Sequence, residues 1–215
     1  MTARGRWRRW SPAVAAAVLL AGCTHTVGGT AARTAPLPDE KSRSPVDVDT
    51  VLLDRQQMQA LTGAGADLTP IPGMESKMPV DVDHLLGTVP AQCSWLVAET
   101  QVFGDEVEEF HKTSYQNPPD GALISQAAAG YRDVDTARRA FGGLVDSIRR
   151  CADTPAGPAL VGPVTTTEDT ARTRPGSCGR DYRIKAEVLA EITFCAFADS
   201  VSDTVMTNIM SNIPR

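Results

Sequence analysis

Cys178-Gly-Arg-Asp-Tyr-Arg-Ile-Lys-Ala-Glu-Val-Leu-Ala-Glu-Ile-Thr-Phe-Cys-Ala-Phe197 is the stretch whose reading decides the fold. It reads as one strand over 179–184, a turn at Ala186-Glu187, and a second strand over 188–197. The second strand sets Val188, Ala190, Ile192, Phe194 and Ala196 on one face. With the turn there, Cys178 and Cys195 are equally far from it and face each other at a separation a disulfide bridges. One conflict accompanies this register. It places Asp181 and Arg183 on the face of Ile192, whereas a slip of one residue would bring Tyr182 and Ile184 there, so a bulge or longer turn is the alternative.

Working outward, a final helix follows from about Ser200, with Val201, Val205, Ile209 and Ile213 on one stripe. Upstream, the clearest helix runs over about 134–150. Ala137, Ala140, Phe141, Leu144, Val145 and Ile148 form its apolar stripe, and Arg149-Arg150 sit where the helix dipole favours cations. Strands are expected over 94–98, 107–115, 122–129 and 160–167, with Asn117-Pro-Pro-Asp-Gly121 as the turn before the third. A shorter helix is expected over 54–62, opened by Asp54 with Gln57 as a capping box and stopped by Gly63. The stretch 64–79 holds Gly, Pro and Met without a period and reads as a long loop. The expected fold class is α+β: an antiparallel β-sheet with helices packed on one face and two disulfides.

The N-terminus carries the address. A basic head, Met1-Thr-Ala-Arg-Gly-Arg-Trp-Arg-Arg-Trp10, precedes a short apolar run ending Leu20-Ala-Gly-Cys23. The run, about ten residues, is too short to span a hydrocarbon core that needs roughly 20. Small residues before a cysteine resemble the bacterial lipobox, in which signal peptidase cuts before the thiol and the sulfur carries a diacylglyceryl group. The expectation is therefore a lipoprotein signal peptide over 1–22, with Cys23 lipidated (palmitate or a related acyl chain) and the protein anchored on the extracytoplasmic face of the cell membrane. Residues 23–45, rich in Thr, Ala, Pro and Gly, read as a flexible tether, and 46–215 as a single domain with enough chain for one core.

Removing 1–22 takes away Arg4, Arg6, Arg8 and Arg9 and no acidic residue. That leaves 17 basic against 26 acidic side chains, a net charge of −9 compared with −5 for the whole chain. This sign excludes nucleic acid as a partner and electrostatic adhesion to anionic lipid.

With Cys23 set aside, four cysteines remain in an exported domain: Cys93, Cys151, Cys178 and Cys195. None has Cys-x-x-Cys spacing, so disulfides are expected over a metal centre. Three connectivities exist, and Cys93 with Cys151 and Cys178 with Cys195 is the favoured one. An echo, Pro45-Val-Asp-Val-Asp49 and Pro79-Val-Asp-Val-Asp83-His84, lacks the Gly and distal Glu of a calcium loop. It reads as two acidic entries into helical turns, so no metal is expected.

Catalytic signals are thin. There is no Gly-x-Ser-x-Gly elbow, phosphate loop, His-Glu-x-x-His or dinucleotide fingerprint. Gly176-Ser-Cys-Gly179 offers a cysteine expected to be bridged. Of the histidines in the domain, His111, within Glu108-Glu-Phe-His-Lys112, reads as a solvated strand edge. No enzyme activity, no catalytic residue and no cofactor are expected.

The order of parts carries a likeness. It comprises the lipobox, the tether, Cys93-Ser94-Trp95, an Ala-rich helix ending Arg149-Arg150-Cys151, and Cys178-Gly179-Arg180 before a strand ending at Cys195. Over about 49–215 this resembles the extracellular sensor domain of mycobacterial PknH-type serine/threonine kinases and its free-standing lipoprotein relatives. The resemblance implies two disulfides and a groove that receives an extracellular ligand, here without a kinase or a transmembrane helix. The expected function is a membrane-anchored sensor-like domain that binds an unknown small-molecule, lipid or cell-wall ligand. The alternative is a non-catalytic interaction module with an envelope protein partner, and a hydrolase ranks below both. Tyr115, Tyr131 and Tyr182 are the candidate ligand contacts, although each reads more readily as a half-buried strand residue.

Overall fold

The register of the last two strands organises the structure, a computed structural model that describes residues 44–214. The expected signal peptide, Cys23 and all but the last two residues of the expected tether lie outside the described residues. β6 (Cys178–Lys185) and β7 (Val188–Cys195) pair antiparallel with Cys178 opposite Cys195 and Lys185 opposite Val188, without a bulge. The turn places Ala186 at a left-handed φ of 50°. Asp181 therefore does face Ile192's side and is buried at 2% exposure. Its Oδ1 is ion-paired with Arg174 Nη2 at 2.7 Å and its Oδ2 accepts from the Ser202 hydroxyl, so the charge stays in the core with partners in place of a register slip.

The sheet has seven strands, all antiparallel, in the order β1-β2-β3-β7-β6-β5-β4. The remaining strands are β1 (Thr69–Pro70), β2 (Glu109–Asn117), β3 (Ala122–Gly130), β4 (Val164–Thr166) and β5 (Thr170–Thr173). The helices are α1 (Arg55–Thr62), α2 (Asp83–Leu86), α3 (Glu99–Phe103), α4 (Val134–Ala152), α5 (Gly157–Leu160) and α6 (Asp199–Asn212). None of the described helices is long and apolar enough to cross a membrane.

The antiparallel sheet with helices and two disulfides is as expected, but the helices cover both faces. On one, Val188, Ala190, Ile192 and Phe194 of β7 pack with Met58 of α1 and Val205 and Ile209 of α6. On the other, Leu189 and Tyr182 pack with Phe141, Leu144 and Ile148 of α4. The reason lies in β7, which carries buried residues at alternate positions on both sides. α1 begins as read: Asp54 accepts from Gln57 N and Gln57 Oε1 accepts from Asp54 N, each at 2.8 Å, and Gly63 ends it at φ 72°.

Two expected strands differ. Over 94–98 the backbone is a 3-10 helix (Ala91–Leu96) leading into α3. The buried positions Trp95, Ala98 and Val102 follow helical spacing, which a short apolar run does not distinguish from a strand. Over 160–167, α5 ends at Leu160 and only Val164–Thr166 is strand. Gly162 turns the chain between them at φ 60°, where a Cβ would lie 2.1 Å from the Arg174 carbonyl oxygen. β5, Thr-Ala-Arg-Thr, went unread because its polar sequence has no apolar alternation, although Ala171 and Thr173 are buried. Cys93–Cys151 ties the 3-10 helix to α4, and Cys178–Cys195 crosslinks β6 to β7.

Candidate functional site

α4 packs over Ala127, Ala129 and Leu189 and leaves the other end of β3 and β7 to a different cover. Period-2 alternation puts Leu123 and Ser125 of β3, Thr193 and Cys195 of β7 and Lys112 of β2 on that same face. Above them runs a groove of about 270 Å³, walled on one side by the 3-10 helix with Trp95 and Leu96 and on the other by Ile71, Met74, Val80 and Val82. Among the described residues four large apolar side chains are exposed: Met74, Met78, Val80 and Leu123. Three of them line the groove, and Met78 belongs to the same 71–82 segment. Apolar exposure scattered singly needs no account, but its concentration at one concavity makes this groove the candidate contact surface.

The polar groups at the groove are few and tied to one another. Glu191 is buried at 6% exposure and accepts from the Tyr182 hydroxyl at 3.1 Å and the Thr193 hydroxyl at 2.8 Å. Arg180 lies 3.7 Å from Glu191, stacks 5.6 Å over the Trp95 ring and donates to the Leu96 carbonyl at 2.7 Å. Burial opposes the Arg180 charge, yet the neighbouring Tyr182 and Glu191 outweigh it and hold the guanidinium protonated above its ordinary range. At the opposite wall Lys112 pairs with Glu99, whose second oxygen accepts from Val80 N at 2.8 Å. The Ser114 and Ser125 hydroxyls bond across the floor at 2.8 Å. The result is an apolar slot with a charge-balanced frame, able to seat an apolar group and orient a polar end.

The candidate tyrosines all lie in the core. Tyr131 and Tyr182 are at 0% and 1% exposure and Tyr115 at 5%, and none lines the groove. The Tyr131 hydroxyl donates to the Phe103 carbonyl at 2.7 Å. Desolvation first, and then Glu191 for Tyr182 and Glu106 for Tyr131, push both phenols above their ordinary range. Tyr182 reaches the groove frame through its hydrogen bond to Glu191, which lines the groove.

Cys178 of Gly176-Ser-Cys-Gly179 is bonded to Cys195. His84 is exposed at α2. His111 corrects its reading as a solvated edge: its side chain is 13% exposed, with Nδ1 3.0 Å from Asp49 and Nε2 3.4 Å from Glu75. Of the echoed motif, Asp47 accepts from Asp49 N and caps a 3-10 turn (Val48–Thr50), Asp81 accepts from Thr100 N and its hydroxyl, and Val80 and Val82 face the groove. Among the described residues no cluster of three or more His, Cys, Asp or Glu is placed to hold a metal ion. The groove residues Trp95, Arg180, Glu191 and the 71–82 segment were missed in the sequence. The available signal was three large apolar residues, Met74, Met78 and Val80, in a stretch without period.

Compared with known families, residues 44–213 match the PknH-like extracellular domain. The crystal structure of the extracellular domain of PknH from Mycobacterium tuberculosis shares the fold with a TM-score of 0.56 at 14% identity, over 79% of this chain and 98% of that one. No curated protein matches the chain.

Proposed function

The chain belongs to the PknH-like extracellular domain family, and on that premise we propose that it is a lipid-anchored, non-enzymatic module that binds an apolar ligand outside the membrane. The observation that carries this reading is the grouping of the exposed Met74, Val80 and Leu123 around one concavity with a polar frame. At about 270 Å³ the groove is slightly below the 300–1,000 Å³ of drug-sized sites. It suits a single apolar chain or ring with a polar end better than a multi-chain lipid. The proposed anchor is an acyl group on Cys23.

Titration of the full chain, in detergent, with a fluorescent apolar probe tests the binding reading. Saturable binding displaced by single-chain amphiphiles is expected, and no saturable binding would refute it. For the anchor, intact mass of the mature protein is expected to give a chain beginning at Cys23 with an acyl adduct. A chain beginning there without one would sink the lipoprotein assignment.

A further inference from the structure

The 71–82 segment continues from β1 and straddles the outer edge of β2. Ile71 N donates to the Ser114 carbonyl at 2.9 Å, and Ser76 and Lys112 exchange backbone hydrogen bonds at 3.1 and 2.9 Å. On one side of this edge Met74 and Val80 rim the groove. On the other, Glu75 and Lys77 reach His111 and Asp49. His111 sits on the sheet face opposite Lys112, so one segment links a titratable cluster to the groove rim through the thickness of the sheet.

The cluster has an unfinished arrangement. Both His111 nitrogens are buried, and among the described residues neither has a hydrogen bond, yet each lies within ion-pair distance of a carboxylate on a different element. Asp49 comes from the 3-10 turn Val48–Thr50, and Glu75 and Lys77 from the 71–82 segment. On β2 itself Glu109 shares the face and accepts from Val48 N at 3.2 Å, and the facing residue on β3 is Ala128. A neutral imidazole offers a proton to one of the two carboxylates and a lone pair to the other, whereas the imidazolium offers a proton to both.

We infer that the 71–82 segment is a pH-tuned strap that grips the edge of β2 more tightly when His111 is protonated, and so regulates the rim of the groove. Its functional half rests on the reading of the groove as a ligand site. Histidine changes charge between about pH 5 and 8. Mild acid therefore adds an attraction from His111 to Glu75 on the strap and to Asp49, which holds the strap again through Lys77. Met74 and Val80 then lose freedom at the groove mouth.

The test is hydrogen exchange by mass spectrometry on the full chain in detergent, at about pH 7.5 and about pH 5.5, with protection corrected for intrinsic rates. Amides of Ile71, Ser76 and Lys112 are expected to gain roughly two- to fivefold protection at the lower pH, the size of a partly exposed ion pair. The gain is expected to vanish in His111→Gln and to shrink in Glu75→Gln, whose carboxylate is exposed and whose replacement is expected to leave the fold intact. No gain in the wild type, or an equal gain in His111→Gln and Glu75→Gln, would overturn the strap. Apolar-probe binding measured on the same samples separates the two readings. pH-dependent protection without any probe binding supports the strap and removes the ligand reading. Probe binding with pH-independent protection overturns the strap alone.

Discussion

Leu123 stands directly opposite Cys195 across the β3–β7 ladder, so an exposed leucine is fixed beside a disulfide-anchored strand at the floor of the groove. The leucine has no role in the core, and its exposure of 44% makes it replaceable without disturbing packing. Leu123→Lys is expected to change stability by no more than about 0.5 kcal/mol and to weaken apolar-probe binding at least about tenfold, because a charge is placed in the slot. Urea denaturation and probe titration on the same variant check both halves.

Removing the disulfides is expected to cost stability in proportion to the loops they close. Cys93–Cys151 spans 58 residues and Cys178–Cys195 spans 17. On the chain-entropy account these contribute about 4 and about 3 kcal/mol. Paired Cys→Ala variants compared by urea unfolding test the order, with the first pair expected to be the more destabilising.

The expected α+β class and the paired strands were legible because β6 and β7 carry their register in the cysteine spacing and in Val188, Ala190, Ile192 and Phe194. The long helix was legible for the same reason, a sustained apolar stripe. The second helical layer was not, because an antiparallel strand buried on both sides, as β7 is, looks one-sided when its other face holds Glu191 and Thr193. The groove was hidden for a related reason. Its walls come from a 3-10 helix and an aperiodic segment, and its buried polar group, Glu191, is recognisable only once Tyr182, Thr193 and Arg180 are brought around it.

Tyr131 and Tyr182 are expected to stay unionised above their ordinary value of 10 while the fold persists, since burial disfavours both phenolates. The sign follows from linkage. A folded pKa above the unfolded one contributes stability that is fully present below the unfolded value and is lost as pH rises through the folded one. Ultraviolet titration should therefore show their ionisation arriving with alkaline unfolding. Ionisation near pH 10 in the intact fold would contradict their burial.

Asp49 gives the opposite dependence. The Lys77 hydrogen bond, set against partial desolvation and helped by the Lys77 and His111 charges, lowers its carboxyl below the ordinary 3.8. That stability is present above the unfolded value and is lost as pH falls through the lowered one. Asp49→Asn is expected to flatten the loss of stability at the acid end, measured by thermal unfolding across pH. An unchanged acid limb would mean that the ion pair adds nothing.

The proposed function requires an apolar ligand seated in the groove. Native mass spectrometry of the full chain purified from its own envelope, wild type and Leu123→Lys in parallel, tests it most directly. A stoichiometric apolar adduct, beyond the acyl groups expected on Cys23, should be present on the wild type and depleted on the variant. An adduct equally retained by both, or absent from both, would contradict it.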